Sequence, residues 1–492
     1  MAQHLLTDAQ LRSFLVEGCI TIQPALSASF HKQIYDEFDR IVPSDHVEVP
    51  GKQKPNNPGN NILPLVPALG ELFDDPVIAG ALTSLAGPGH FIEPHRALHN
   101  NMPVDGEQQL HKDSYMGFKR HVRSHRPWTI IVFYYPQETP SQRGPTGVVP
   151  GSHYALRNPG RATSEATPLG GPAGSVCLAA FDLWHARMRN FTNQKRFMLK
   201  FLVSRMTPPT GPDWDCAAQD WQMPAAPPRG YALEPLWRRN WDWLAGNKPT
   251  NGADLSSTKL ATLDRDLEGE DENAALSAAY ALARAGSSGV AVLSRKLLTA
   301  GVENFEDDPT INADLGRQYA EGPVARAAAY GLAASGASAV APLVEAIGSS
   351  ASQTRKFASF ALGELAASDP AIDDALARAT ADADPRVRLN AQFSIGRRRT
   401  SADPMAALEH GLADADDETR IHAALALARR APASDRAIAA AAKALGDGNR
   451  YVSGYAVEAL ERIGTPEATR ILVPFLKRAR WCPFTRSGES IY

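Results

Sequence analysis

One pattern keeps returning in the second half of the chain. An apolar residue or threonine is followed by alanine four residues on and by leucine or isoleucine eight on. It occurs at Thr354, Ala358 and Leu362, at Val387, Ala391 and Ile395, at Thr419, Ala423 and Leu427, and at Val452, Ala456 and Leu460. The starts lie 33, 32 and 33 residues apart. Positions four and eight apart share one helix face, and small alanines let neighbouring helices close up. A fixed period of this length predicts helix pairs stacked into a solenoid, whereas a plain bundle needs no period. Val324, Ala328 and Leu332 give an earlier copy, and Ala274, Ala278 and Leu282 a degenerate first one, separated by an insert around "ENFEDDPTINADLGRQYAEG". The reading is about six helix pairs over residues 272–480, followed by a tail at 481–492.

The first 206 residues have a different texture. Prolines and glycines punctuate short runs rich in β-branched and aromatic residues: "WTIIVFYY" (128–135), "GVVPGSH" (147–153), "GSVCLAAFDLWH" (174–185) and "RFMLKFLVSRM" (196–206). Short strands between turn signals, with helices only near the start, predict a sandwich or jelly roll carrying flanking helices. Between the halves, residues 207–271 hold five of the eight tryptophans. Such bulk predicts an arm and short helix packed against one or both domains, rather than a flexible linker or an aromatic ligand cage. The polar, acidic run from "NKPTNGADLSS" to "EGEDE" is the better boundary.

At 492 residues the chain is long enough for more than one core. A net charge of −3 gives no overall bias towards nucleic acid, membrane or acidic polymers, so any charge logic is local. The start "MAQHLLTDAQ" lacks the pattern of a secretory signal, and no run of apolar residues is long enough for a membrane span. Four scattered cysteines, without a CxxC pair, fit reduced thiols in a cytoplasmic protein and argue against a cysteine-held zinc.

The chemistry starts at "LHKDSY". His111 and Asp113 are two apart, so in an extended segment they point the same way and can grip one ion. His185, in another predicted strand, can bring a third ligand across a barrel. Two histidines and one carboxylate with open positions opposite them form the facial triad of non-haem Fe(II) oxygenases. If 2-oxoglutarate occupies open positions, its far carboxylate needs a fixed cation, which a guanidinium matches with two prongs. Arg196, 11 residues beyond His185 at the start of the next strand, meets that need.

The order "LLTDAQLRSFLVEGCITI", "LHKD", "GPTGVVPGSH" and "AAFDLWHARMRNFTNQKR" resembles the phytanoyl-CoA dioxygenase family of Fe(II)/2-oxoglutarate oxygenases over about residues 5–206. "TRKFASFALGEL", "VRLNAQFSIG" and "TRIHAALALA" resemble HEAT-like repeats. The resemblance implies a multidomain protein: a double-stranded β-helix (jelly roll) with flanking helices, then an all-α HEAT-like solenoid. It implies His111, Asp113 and His185 as iron ligands and Arg196 as the anchor of 2-oxoglutarate. It makes the "PGSH" turn, Pro150 to His153, structural, so that His153 is not a ligand. Related halogenases carry glycine or alanine where Asp113 stands, so oxygenation is implied here. The implied reaction consumes Fe(II)-bound 2-oxoglutarate and O₂, gives succinate and CO₂, and hydroxylates, desaturates or cyclises a substrate; ascorbate would serve as reductant in vitro.

On the substrate side, Tyr115 and Arg187, each two residues from a ligand, are candidates to line the pocket. Lys119, Arg120, Arg123 and Arg126 crowd the next loop, either as a basic rim for an anionic substrate or as a solvated surface. In the strand at 93–103, Arg96, His99 or Asn100 could face inwards. The favoured expectation is a small-molecule hydroxylase without nucleic-acid or membrane partners. The alternatives are a protein or peptide hydroxylase whose repeats recruit the target, a solenoid serving self-association or covering the oxygenase mouth, and a solenoid binding protein with a vestigial oxygenase.

Overall fold

The computed structural model describes residues 4–42, 61–103, 106–114, 120–157, 159–218, 220–225, 227–228, 230–247, 255–301 and 322–478. The expected tail at 481–492 and the insert before Gly322 lie outside the described residues.

The N-terminal half is built on two antiparallel sheets. The larger holds β1 (Cys19–Ile22), β2 (Phe91–Asn101), β3 (Thr129–Tyr134), β6 (Val176–Ala180) and β8 (Arg196–Ser204) in the order β1-β6-β3-β8-β2. The smaller holds β4 (Thr146–Val148), β5 (Thr167–Leu169) and β7 (His185–Arg187) in the order β5-β4-β7. β3, β6 and β8 are buried along their whole length, which fits their nearly unbroken apolar sequence. Helices α1 (Asp8–Glu17), α2 (Ala28–Ile41) and α3 (Pro76–Ala86) flank the sheets, and α3 packs on β3 and β8.

The start of α1 is a capping box between Thr7 and Gln10, and its end is Gly18 at φ 83°. Glycine suits that left-handed position on two counts, since a Cβ there would also meet the His153 ring at 2.5 Å. His153, from the "PGSH" turn, is thus a buried prop beneath the end of α1.

The tryptophan-rich arm packs as expected. Trp237 and Trp241 lie in helix α4 (Glu234–Leu244) and are fully buried, with Trp214 5.0 Å from Trp241. α4 lies against both α1 and the first repeat helix. Helix α5 (Ser257–Asp266) then leads into six helix pairs among the described residues: α6 (Glu272–Ala283) with α7 (Gly286–Thr299), α8 (Pro323–Ala334) with α9 (Val340–Ala346), α10 (Ser352–Glu364) with α11 (Pro370–Ala379), α12 (Pro385–Arg397) with α13 (Met405–Leu412), α14 (Asp417–Arg430) with α15 (Asp435–Ala444), and α16 (Arg450–Ile463) with α17 (Pro466–Arg478). Gly396 lets α12 approach α14, where a Cβ would come within 2.7 Å of Ala426.

Successive repeats are also latched by charge. The residue after each stripe start is Arg355, Arg388 or Arg420, and each reaches a carboxylate of the following turn. Arg355 grips Asp382 at 2.7 and 2.9 Å, Arg388 grips Asp414 at 2.7 and 3.0 Å, and Arg420 reaches Asp447 at 2.9 Å. Two residues after each of these acids stands the N-cap of the next helix, Asp384, Asp416 or Asn449. One short acidic turn therefore ties back to one helix and starts another.

The first helices of the later pairs are buried on nearly every side, α10 at every position but Arg355 and α12 at every position but Pro385 and Arg388. Repeat packing accounts for one part of this burial. The rest comes from the N-terminal half, and a single buried apolar cluster runs through the sheets, the arm and the repeats.

Candidate metal centre

Residues 106–114 run alongside β7. His111 exchanges both backbone hydrogen bonds with His185, at 2.9 and 3.0 Å, and Gln108 N–H donates to the Arg187 carbonyl at 2.9 Å. This pairing places the His111 and His185 rings 4.6 Å apart, and Asp113, two residues on, brings its Oδ2 within 3.8 Å of His185 Nε2. One ligand atom from each of His111, Asp113 and His185 lies within 4.8 Å of the others.

Each imidazole is oriented from behind. His111 Nδ1 meets the Gln109 carbonyl and His185 Nδ1 meets the Leu183 carbonyl, both at 2.9 Å. A carbonyl only accepts, so Nδ1 carries the hydrogen in each ring and Nε2 keeps its lone pair for a metal. Burial pulls the His185 pKa down to about 4 against the upward pull of Asp113, which keeps that ring neutral near pH 7. Burial alone would raise the Asp113 carboxyl, but its neighbours, foremost the Lys200 ammonium, outweigh it and hold the group well below the usual carboxylate range. Two imidazole nitrogens and one ionised carboxylate fit a divalent cation such as Fe(II).

Lys200 escaped the sequence reading. It stands in the middle of β8, 2 % exposed, with its Nζ on Asp113 Oδ2. Along a strand alternate residues share a face, so Arg196, Met198 and Lys200 all face this centre. That alternation within "RFMLK" was the available signal. Arg196 is fully buried, and its guanidinium donates to the carbonyls of Gly144 at 2.9 Å and His99 at 3.0 Å. The backbone thereby fixes its direction on the face it shares with Lys200.

Tyr115 and Lys119 lie outside the described residues. Arg187 is half-buried on β7, two residues from His185 and therefore on the same side of the strand. In the strand at 93–103, His99 keeps exposed surface while Asn100, on the opposite face, is buried; Arg96 donates to the Glu93 carbonyl at 3.2 Å.

The basic run after Asp113 takes an arrangement that neither a rim nor a solvated loop describes. Arg120 pairs with Asp416 and Glu418, Val122 N–H donates to Asn390 at 3.0 Å, and Arg126 pairs with Glu364 at 2.8 Å. His125 hydrogen-bonds Tyr280 at 2.9 Å, and His121 packs on Phe393 and His422. The segment lies across the first helices of successive repeats, its cations neutralised there. Arg123 goes further. Its guanidinium donates to the Asp113 carbonyl at 2.8 Å and pairs with Asp182 at 2.5 Å, while its own carbonyl accepts from the Tyr330 hydroxyl at 2.7 Å. One residue thus connects both ligand-bearing segments to the solenoid.

Comparison with known proteins gives two family matches. Residues 14–198 match the phytanoyl-CoA dioxygenase (PhyH) model, and residues 405–485 match the HEAT-repeat model. No curated protein matches the sequence. Similar solved structures include AviO1 from Streptomyces viridochromogenes Tue57, at 17 % identity over 41 % of this chain and 96 % of that one, with a TM-score of 0.32. Another is the non-heme alpha ketoglutarate dependent carbocyclase SnoK from nogalamycin biosynthesis, at 16 % identity over 41 % and 85 %, with a TM-score of 0.33. A third is EctD from S. alaskensis with 2-oxoglutarate and 5-hydroxyectoine, at 16 % identity over 42 % and 78 %, with a TM-score of 0.34. The chain thus carries a domain of the phytanoyl-CoA dioxygenase family over residues 14–198, followed by HEAT repeats over residues 405–485.

Proposed function

We propose that the protein is an Fe(II)- and 2-oxoglutarate-dependent dioxygenase that hydroxylates an unactivated C–H bond of a small molecule. The observation that carries this reading is the convergence of His111, Asp113 and His185 on one point, beside a face that also bears Arg196. The three side chains would hold Fe(II), and Arg196 would pair with the far carboxylate of 2-oxoglutarate. Bound iron with 2-oxoglutarate and O₂ supplies the oxidising power that no side chain possesses.

The remaining work belongs to the chain. The Gln109 and Leu183 carbonyls keep the two rings aimed, and Lys200 holds one oxygen of Asp113 in place. Phe133, with its ring 5.8 Å from that of His185, gives the centre an apolar wall that limits water. Arg123 keeps the two ligand segments in register.

The alternative, in which the repeats recruit a protein target, finds less support. Their first helices already bear on the oxygenase half of the same chain, so that face is filled. A cytoplasmic setting with ascorbate-like reductants suits the reading, and no helix among the described residues is long and apolar enough to cross a membrane.

The test is succinate release from 2-oxoglutarate by purified protein with Fe(II), O₂ and ascorbate. His111→Ala is expected to abolish it. Arg196→Ala should raise the KM for 2-oxoglutarate roughly 10- to 100-fold, the value of a charged two-pronged contact. Turnover that persists in His111→Ala would sink the proposal.

A further inference from the structure

The face of β8 that carries Lys200 continues onto β2. In the β2–β8 register Asn101 stands opposite Arg196, His99 opposite Met198 and Ala97 opposite Lys200. Phe133 of β3 extends the last of these rows on the other side. Residues directly opposite each other in an antiparallel pair share a face, so the rows are rungs of one wall. Neighbouring rungs are two residues, or about 6.7 Å, apart along the strands. Arg196 marks one end of the wall, and Lys200, with its Nζ on Asp113 Oδ2, marks the metal end.

The end rungs are engaged with the protein. Asn101 Nδ2 donates to the carbonyls of Gly144 and Met188 at 2.8 and 2.9 Å, and its Oδ1 is an acceptor, of no use to an anion. Arg196 is braced by the Gly144 and His99 carbonyls, and Lys200 is committed to Asp113. On the middle rung Met198 is apolar and buried, which leaves the His99 ring. That ring has no hydrogen-bond partner among the described residues. His99 is also the most exposed residue of β2, although Leu98 and Asn100 on either side of it are buried. The ionisable groups that act on it are, in falling order, Lys200, Asp113, Arg196 and His95, so the metal end bears on it first and Arg196 from the other side. Burial foremost, then Lys200, keeps the imidazole neutral, with one N–H to donate. A ring set so deep among these groups and still open lines a recess between Arg196 and the metal centre.

A diacid held by Arg196 at one end and by the metal at the other has to pass the middle rung. We propose that the His99 ring donates a hydrogen bond to the carboxylate of the keto-acid end of 2-oxoglutarate, and so sets, together with Arg196, the orientation of the cosubstrate that the site accepts. This rests on the oxygenase reading above. It gives the cosubstrate a protein contact at each end, a guanidinium at the far carboxylate and an imidazole beside the metal.

The test is calorimetric titration of 2-oxoglutarate into full-length protein loaded with Co(II). His99→Leu should weaken binding about tenfold, the worth of one hydrogen bond to a charged group. His99→Gln, which keeps an N–H donor, should stay within about threefold of wild type. The visible spectrum of Co(II) before 2-oxoglutarate is added should be the same in all three proteins, which reports an intact metal site. In wild type loaded with diamagnetic Zn(II), 2-oxoglutarate should bring up a new imidazole N–H resonance protected from exchange, and His99→Gln should lack it; this measurement decides the matter even where His99→Leu does not fold. An affinity equal in wild type and His99→Leu, a loss as large in His99→Gln as in His99→Leu, or no new resonance overturns the proposal. The oxygenase reading fails by a different observation, the absence of succinate release from the iron-loaded wild type.

Discussion

On the proposed reading Asp113 serves a metal while buried, and Lys200 lets it do so. A buried carboxylate without a counter-charge costs several kcal/mol, and the Lys200 ammonium supplies that charge when no metal is bound. Lys200→Met should therefore destabilise the metal-free protein by about 3 kcal/mol and the Zn(II)-loaded protein by much less, because the metal takes over the neutralisation. Thermal melts of wild type and variant with Zn(II) and with a chelator check this; an equal loss in both states would refute the role. At this scale the sequence was informative where spacing carried chemistry. An HxD pair, a distant histidine, the arginine 11 residues beyond it and the motif order of the resemblance together pointed to His111, Asp113 and His185, which the fold brings together. Lys200 stayed hidden because a basic residue in an apolar strand carries no spacing signal of its own. Its importance arises from its contact with Asp113, 87 residues away in sequence, which no local pattern encodes.

Elements meet across the two halves where β2 passes α16. Glu93 is buried there, with Ser204 Oγ donating to it at 2.5 Å, and burial foremost pushes its pKa up to about 7. Its folded-state pKa lies above the unfolded one, so the folded state holds the proton more tightly. The stability this adds is complete below about pH 4.5 and is lost as pH rises through 7. Glu93→Gln should flatten that dependence. At pH 8 it should be more stable than wild type by up to about 3 kcal/mol, with the advantage gone near pH 4.5, as urea titrations at the two pH values would read. An unchanged difference between the two pH values would contradict the assignment. Among the elements, the repeats were legible because the stripe at four and eight residues reflects helix stacking directly. The arginine–aspartate latches were not, since Arg388 and Asp414 look like solvated turn residues until neighbouring repeats bring them together. The basic run around Arg120 misled for the same reason, its partners Asp416 and Glu418 lying almost 300 residues away in sequence.

At the scale of the whole molecule, the two textures share one buried core. The buried cluster runs without a break from sheets to repeats, and residues 120–126 use polar partners on helices from α6 to α14. An isolated fragment of residues 1–271 would expose that apolar face and release the segment that Arg123 anchors. It should aggregate when expressed alone and become soluble when co-expressed with residues 272–492, as size-exclusion chromatography would show. A monodisperse fragment 1–271 that binds Co(II) as tightly as the full chain would argue that the halves are independent. The division into two textures was readable from composition and period. Their mutual burial was not, because each half satisfies its own pattern and the shared surface is written in neither.

The segment from Arg120 to Arg126 has one more consequence. Solenoids usually diversify by gaining or losing copies of their unit. Here a stretch of fixed length is matched to Tyr280, Tyr330, Glu364, Asn390 and Asp416, one on each of the first five units. Inserting or deleting a copy within that span would leave every later partner one step out of place. The N-terminal half therefore acts as a template for the copy number of the array, and because β2 also packs on α16, the template extends to the last pair of repeats.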